Sequence, residues 1–291
     1  MSSENPGREP DGRDGGALRQ GGWAGIELLW ELDDKSGPQH RRNTALGRDQ
    51  IVRAAVAIAD AEGLEAVTMR RVAQRLNTGA MSLYRHVPDK EALVSMMIET
   101  ILGDEMADQP LLLATQDWRA ALREMAQATW RLSRKHRWYP EASIAQPPLS
   151  PNGVAGLEFA LAVFDPYDLD IMTRMLYVGS VHHLALHAAL DRLIEEEAQR
   201  TAGLTAQEAH QRAAPVMAKM VATGRYPRVT EFITAVQHVE GDEEDWILAS
   251  VDLLLDGIES RLAALGAEAK ARAGPSGAPA RPRQARPKTA G

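Results

Sequence analysis

The chain has 291 residues, of which 44% are hydrophobic, and its mean hydropathy is −0.31. These values allow one small domain and one larger domain with buried cores. The sequence has no cysteine, which excludes disulfides, thiol nucleophiles and cysteine-based zinc sites. Its formal net charge of −7 argues at first sight against a nucleic-acid partner. No apolar run reaches the ~18 residues of a membrane span and no signal-peptide pattern follows Met1, so we expect a cytoplasmic protein.

Residues 1–45 are predicted to form a mostly disordered extension, because glycine, proline and charged residues are frequent there. A possible short helix at 23–32 interrupts it, since four apolar side chains fall on one helical face: Trp23, Ile26, Leu29 and Trp30. Two interpretations are open for this segment. It is either a helix that docks on the head or on a partner subunit, or a partly ordered arm.

Residues 46–95 are predicted to form a three-helix head that contains a helix-turn-helix. Its first helix runs from Asp49 to Ala61. The helix-turn-helix reads TMRRVAQRLNTGAMSLYRHVPDK, with Thr68 as N-cap of the first helix. Asn77 tolerates the left-handed conformation that ends this helix, and Gly79 is expected to relax the backbone before the next one. Such a unit places its second helix in the major groove of DNA.

Charge is unevenly distributed along the chain. Residues 41–90 carry nine basic and five acidic side chains, whereas residues 91–266 carry 14 and 26. This asymmetry is expected when only the head meets phosphates. Arg41 and Arg42 precede the first head helix, where a flexible arm reaches phosphates or the minor groove; a solvated linker is the alternative.

Residues 96–266 alternate helical patterns with loops and show no convincing strand series, so the fold class is all-α. One polar helical stretch is expected to break at Pro215. Two helices, Leu169 to Arg200 and Asp245 to Leu265, are long and apolar enough to pack against a second copy. Residues 267–291 read as a disordered basic tail.

The segment ALGRDQIVRAAVAIADAEGLEAVTMRRVAQRLNTGAMSLYRHVPDKEALVSMMIE resembles the DNA-binding domain of the tetracycline-repressor (TetR) family. Weaker similarity to the branch nearest the tetracycline repressors themselves continues in Trp118-Arg119, in residues 224–227 and in LLLDGIESRL. The resemblance implies a TetR-type head at 46–95 joined to a larger helical effector-binding and dimerisation domain at 96–266.

The resemblance also implies roles in DNA binding. Arg70 corresponds to an arginine that reads a base edge, and a phosphate clamp or a surface charge is the alternative. Tyr84, His86 and Lys90 correspond to phosphate contacts, with packing inside the head as an alternative for the first two. The DNA-binding residues predicted in full are Thr68, Arg70, Thr78, Gly79, Ala80, Met81, Ser82, Tyr84, His86 and Lys90, with Arg41 and Arg42. Among them, the short and mostly apolar Ala80, Met81 and Ser82 suit thymine methyl groups.

The family further implies a homodimer on a near-palindromic operator and a cavity for a small-molecule effector. The predicted dimer interface comprises Leu176, His183, Leu190, Leu253, Leu254 and Ile258. The candidate pocket residues are Trp130, Trp138, Tyr139, Phe159, Tyr177 and His182, and each is alternatively a core residue.

Catalytic and metal-binding readings are weaker. His183, His187 and Asp191 share one helical face, where two imidazoles suit a transition metal, but polar positions at a helix interface explain them better. Phosphate-binding, zinc-protease and nucleophile-elbow motifs are absent from usable contexts. We therefore predict a DNA-binding repressor released by an unknown small-molecule effector, with no cofactor, no metal and no membrane partner. The alternatives are a ligand-independent regulator and a helical enzyme.

Overall fold

The computed structural model describes residues 23, 25–33, 47–108, 117–146, 149–203, 205–236 and 243–273, and every regular element in these ranges is helical. The all-α prediction is therefore confirmed for the described part of the chain. No helix within it is both long and apolar enough to cross a membrane. The helices in chain order are α1 (25–33), α2 (Arg48–Glu62), α3 (Met69–Arg75), α4 (Ala80–Leu83), α5 (Lys90–Asp108), α6 (Trp118–Lys135), α7 (Tyr139–Ala145), α8 (Pro151–Ala162), α9 (Ile171–Thr201), α10 (Ala206–Ala222), α11 (Pro227–Val236) and α12 (Glu243–Ala273).

The head is built from α2, α3 and α4, which close around one apolar core. Its fully buried side chains come from all three helices and the segments beside them: Ile51, Ile58, Val67, Val72, Leu83 and Val87. The hydroxyl of Thr68 accepts a hydrogen bond from Arg71 N at 3.2 Å and so caps α3. Because α4 is one turn long, this core rather than helix propensity must hold it.

The turn between α3 and α4 has two special backbone positions, and only one of them behaves as expected. Asn77 has φ +52°, which confirms the left-handed end of α3. Gly79 has φ −83° and ψ 142°, an extended conformation that any residue adopts. The expectation that Gly79 relaxes strained backbone is therefore wrong, and a Cβ at this position would meet open space.

Helix α5 joins the head to the rest of the chain without interruption. It begins at the cap formed by Asp89 Oδ1, which accepts from Ala92 N at 2.7 Å, and it crosses the predicted domain boundary at 95/96. Arg53 of α2 bonds Asp104 near the end of α5 at 3.0 Å, and this hydrogen bond lowers the pKa of Asp104. The head is thus fixed along the length of α5.

The body packs around α6 and α9, which share the most extensive helix–helix interface, with α12 against both. Its second apolar core centres on Phe164, which is fully buried and stacks on Trp118 with ring centroids 5.9 Å apart. Tyr177 lies against the same ring at 5.7 Å. These helices supply most of the long apolar surfaces that the sequence pattern predicts for the body.

Two boundaries differ from their predictions. Helix α10 continues through Pro215, which is exposed, so the carbonyl that loses its donor stays open to solvent. A capping box between Thr205 and Glu208 supports the start of α10. Helix α12 extends to Ala273, past the predicted limit at residue 266. Of these two differences, the first is a correction: the prediction that the helical stretch breaks at Pro215 is wrong, because α10 continues through it.

Candidate nucleic-acid interface and central cavity

Helix α4 presents a narrow outward face. Leu83 is fully buried, while Met81 is 79% exposed and Tyr84 is 46% exposed. Ala80 is partly buried against the head core, and Ser82 is also only partly exposed. Of the predicted base-reading trio, Met81 therefore offers the largest apolar surface to a groove.

The first helix of the helix-turn-helix supplies a cation beside this face. Arg70 is exposed, and no ion pair of Arg70 is found within the described residues. Its neighbour Arg71 is instead paired with Glu62. Arg70 is thus the arginine at the start of α3 that can turn to a base edge without breaking an ion pair, whereas Arg71 cannot.

The predicted phosphate contacts flank α4. Arg48 Nε donates to the carbonyl of His86 at 2.9 Å, and burial lowers the pKa of Arg48. Lys90 Nζ lies 4.0 Å from Glu65 Oε2, a long pair that leaves the ammonium accessible. Thr78 and Gly79 lie in the turn before α4. Arg41 and Arg42 lie outside the described residues.

A polar joint connects the head to the body. Asp60 of α2 accepts from His136 Nδ1 at 2.8 Å and from Trp138 Nε1 at 2.7 Å. Both donors belong to the junction between α6 and α7, and both are buried. No spacing in the sequence predicts this pairing, because Asp60 and Trp138 are far apart along the chain.

The body contains a cavity of about 470 Å³, here called the central cavity. Its wall is mostly apolar and is contributed by α1, α5, α6, α7, α8 and α9, together with the segment that follows α7. A volume of this size suits one small organic molecule.

Three of the six predicted pocket residues line the central cavity: Tyr139, Phe159 and His182. The other three lie elsewhere. Trp138 is held by Asp60, Tyr177 packs on Phe164, and Trp130 is buried with the guanidinium of Arg134 5.8 Å from its ring centre. These three are core residues rather than pocket residues, which is the alternative that the sequence analysis leaves open for each of them.

The polar groups of the wall are few. Burial, with a smaller contribution from the neighbouring His183, lowers the pKa of His182, which favours a neutral imidazole. Burial raises the pKa of Tyr139 and keeps its hydroxyl protonated. Glu105 is paired with Arg131 at 2.8 Å. The site can therefore offer neutral donors and acceptors to a mainly apolar guest.

Most residues of the wall are not aromatic, so the predicted aromatic set contains only a small part of it. The wall instead uses flexible, small or amide side chains, including Met106, Met125, Gln146, Asn152, Gly156 and Met175. Methionines on the inward faces of several helices indicate such a wall in the sequence, because their flexible side chains adapt to irregular spaces.

The histidines of α9 lie along the wall of the central cavity. The rings of His183 and His187 are 6.3 Å apart, and both line the central cavity. No group of three or more histidine or acidic side chains placed to hold a metal occurs in the part of the chain that the structure describes.

Helices α9 and α12 each carry exposed apolar residues on one helical face, here called the outer stripes. On α9 the stripe contains Met172, Leu176 and Ile194, and on α12 it contains Trp246 and Leu253. Of the other predicted interface residues on this face of α9, His183 is exposed and polar, and Leu190 is partly buried. Leu176 and Leu253 are 62% and 74% exposed. Leu254 is partly buried against the body core, and Ile258 is only 3% exposed. Ile258 is therefore wrong as an interface residue, because it packs inside its own subunit.

Two family models match this chain. The one described as "Bacterial regulatory proteins, tetR family" matches residues 51–97, and "Tetracyclin repressor-like, C-terminal domain" matches residues 110–262. The chain belongs to the TetR family of transcriptional regulators. The helix-turn-helix lies in the first matched region, and α6 to α9, which supply most of the cavity wall, lie in the second.

Relatives and solved structures agree with this assignment. The HTH-type transcriptional repressor DrrR1 of Streptomyces coeruleorubidus is 35% identical over 234 residues, which cover 80% of this chain and 84% of that protein. The tetracycline repressor class E of Escherichia coli is 28% identical over 146 residues, covering 50% and 68%. Apo ActR of Streptomyces coelicolor has the same fold, with a TM-score of 0.61 and 23% identity over 78% of this chain and 100% of ActR. The chain is a DNA-binding transcriptional repressor of the TetR family.

Proposed function

We propose that this TetR protein is a homodimeric repressor that a small-molecule effector releases from a near-palindromic operator. The observation that carries the proposal is the central cavity. The cavity lies within the body, and one of its walls is α5, the helix that continues from the head. A ligand that alters the position of α5 therefore alters the position of the head.

The outer stripes support the homodimer. They place uncovered apolar residues along two long, adjacent helices, whereas a monomer would leave this surface in water. Two copies joined through these helices give a four-helix interface with two-fold symmetry. Two heads related by that axis would meet two half-sites, which favours a near-palindrome.

The predicted DNA contacts follow from the outward side of the head. Arg70 and Met81 are proposed to read base edges and thymine methyl groups, and Tyr84, His86 and Lys90 to hold the backbone. Thr68 is proposed to act through the cap of α3, and Thr78 and Gly79 through the turn before α4. Arg41 and Arg42 are proposed as a basic arm.

The neutral polar groups of the cavity support an uncharged or weakly charged, mainly apolar effector. ActR, which shares this fold, has been solved in complex with actinorhodin and with (S)-DNPA. For the ligand to act as an inducer, it must bind the non-operator conformation better than the operator-bound one. We assign this chain to the cytoplasm, where its DNA partner lies, and give it no catalytic step.

The test is selection of duplexes from a random library, followed by gel shift on the chain's own upstream DNA. We expect a palindromic consensus, retention of the upstream fragment, and release of that fragment by an apolar compound from a screen. Retention that no compound reverses would favour a ligand-independent regulator. Turnover of a compound without DNA retention would favour an enzyme.

A further inference from the structure

Helix α1 precedes the regions that the TetR family models match, and it is packed against the protein. Two of its side chains, Ile26 and Leu29, are 5% and 7% exposed. Trp30 Nε1 donates to the carbonyl of Leu149 at 2.8 Å, which ties α1 to the segment before α8. Of the two interpretations of residues 23–32, the docked helix is the one that the structure contains.

The contact between α1 and α5 is close. A Cβ placed on Gly25 would lie 2.6 Å from Ser95 Oγ and 2.8 Å from Ala92 Cα. The second distance involves backbone, which cannot rotate away. Gly25 therefore lets the two helices approach to a separation that any other residue would prevent.

The same helix reaches the central cavity. Ile26 lines it, beside Ser95 and Ile98 of α5 and Gln146 after α7. Ser95 Oγ donates to Gln146 Oε1 at 2.9 Å, so the wall next to Ile26 is held by a hydrogen bond between α5 and the segment after α7. Helix α1 thus contributes Ile26 to the wall of the cavity.

Leu29, one turn further along α1, faces another environment. It belongs to the apolar core that contains Leu93 and Met97 of α5 and the interior of the head. One turn of α1 therefore contacts the cavity and the head core together.

We propose that α1 is a wall of the effector site and that Ile26 determines its specificity by limiting the length of an apolar effector. This inference rests on the proposed effector function. A methyl-sized change in an apolar pocket alters ligand discrimination strongly enough to be measured. The effector is then an apolar molecule, because the wall is mostly apolar, and the side chain of Ile26 limits its length.

The first test uses two uncharged fluorescent probes that share one naphthalene fluorophore and differ in the length of their acyl chain, prodan and the longer laurdan. Ile26→Ala is expected to shift the affinity ratio about tenfold toward the longer dye, and Ile26→Trp is expected to weaken both. Glu27→Ala, an exposed neighbour on α1, is the matched control and keeps the wild-type ratio. Equal dye ratios in all four proteins, or no dye binding in any of them, overturn the proposal.

The second test distinguishes a change in the space that the side chain at position 26 occupies from detachment of α1 from the protein. Because the chain has no cysteine, Ile26→Cys introduces a single thiol. N-ethylmaleimide should label this thiol slowly, and adding Gly25→Val should accelerate labelling about tenfold or more by undocking α1. If the thiol of Ile26→Cys alone is labelled as fast in buffer as it is in urea, the proposal is overturned.

Gel shift on the same proteins separates this inference from the proposed function. If wild-type protein fails to retain any duplex specifically, the repressor account is wrong, while the labelling and dye ratios still report whether α1 is a wall of the cavity. If DNA is retained and the dye ratio does not change, the role of Ile26 is wrong and the repressor account stands.

Discussion

Arg70 and Lys90 are both predicted to contact DNA, but they are expected to act on it through different physics. Arg70 is exposed and has the planar guanidinium that pairs with two acceptors of guanine. Lys90 is a point charge at the start of α5, 4.0 Å from Glu65, and suits a phosphate. Base contacts carry sequence information, whereas phosphate contacts fix orientation.

Replacing Arg70 by alanine should weaken operator binding by about 1–3 kcal/mol and relax one base position. Lys90→Ala, the matched control, should weaken binding to operator and random duplexes equally and flatten the salt dependence. Fluorescence anisotropy at several salt concentrations measures both effects. Equal losses on the two duplexes for Arg70→Ala would refute its role in base reading.

The lowered pKa of His182 predicts that the free energy of unfolding depends on pH. Its pKa is lowered in the folded protein by burial, with a smaller contribution from His183, so below about pH 6.5 the unfolded chain binds more protons than the folded one. The contribution of His182 to the free energy of unfolding is therefore fully present above that pH, and it is lost as the solution becomes more acidic. His182→Gln should remove part of this fall, which urea unfolding at several pH values measures. An unchanged pH profile for His182→Gln contradicts the burial of a neutral imidazole.

The turn between α3 and α4 shows how local backbone fixes the geometry of the recognition helix. Asn77 ends α3 at φ +52°, and Thr78 N then donates to the carbonyl of Ala73 at 2.9 Å. This reversal, together with the buried Leu83, sets the angle at which α4 leaves the head. The direction in which Met81 points depends on it.

Asn77→Val should destabilise the head by about 1–2 kcal/mol, because a β-branched residue is strained in the left-handed region. Gly79→Ala is the matched control and should change stability by less than about 0.5 kcal/mol, since its backbone is extended and its Cβ would face open space. Urea unfolding compares the two. A larger loss for Gly79→Ala than for Asn77→Val would show that the turn is wrongly described.

The sequence predicted local features more completely than it predicted the cavity. Thr68 and Asn77 are recognisable because their roles are set by neighbours a few residues away. The cavity wall is assembled from six helices, so no spacing in the sequence predicts that Ile26 and Gln146 line the same cavity. The aromatic ring of Trp138 favours a pocket position, but its indole donates to Asp60 across the joint with the head.

The whole molecule combines a head, a cavity and an outward apolar surface. The outer stripes remain uncovered in one chain, with Met172 and Leu253 at 72% and 74% exposure. Burying them against a second copy removes apolar surface from water. The same association would present two α4 helices to one duplex.

Leu253→Glu should separate the subunits, because a carboxylate buried in an apolar interface is costly. Light scattering should then report a mass near 31.8 kDa rather than twice that value. Trp23→Glu is the control, since Trp23 is also exposed but lies outside the outer stripes. An unchanged mass for Leu253→Glu would rule out this interface.

The most direct test is a hydroxyl-radical footprint of the purified protein on the duplex that library selection yields. We predict two protected half-sites on one face of the DNA, related by a near-palindrome and centred about one helical turn or a multiple of it apart. The footprint should disappear for Leu253→Glu at the concentration that saturates the wild type. A single protected half-site, or protection that is equal on scrambled DNA, would contradict the account.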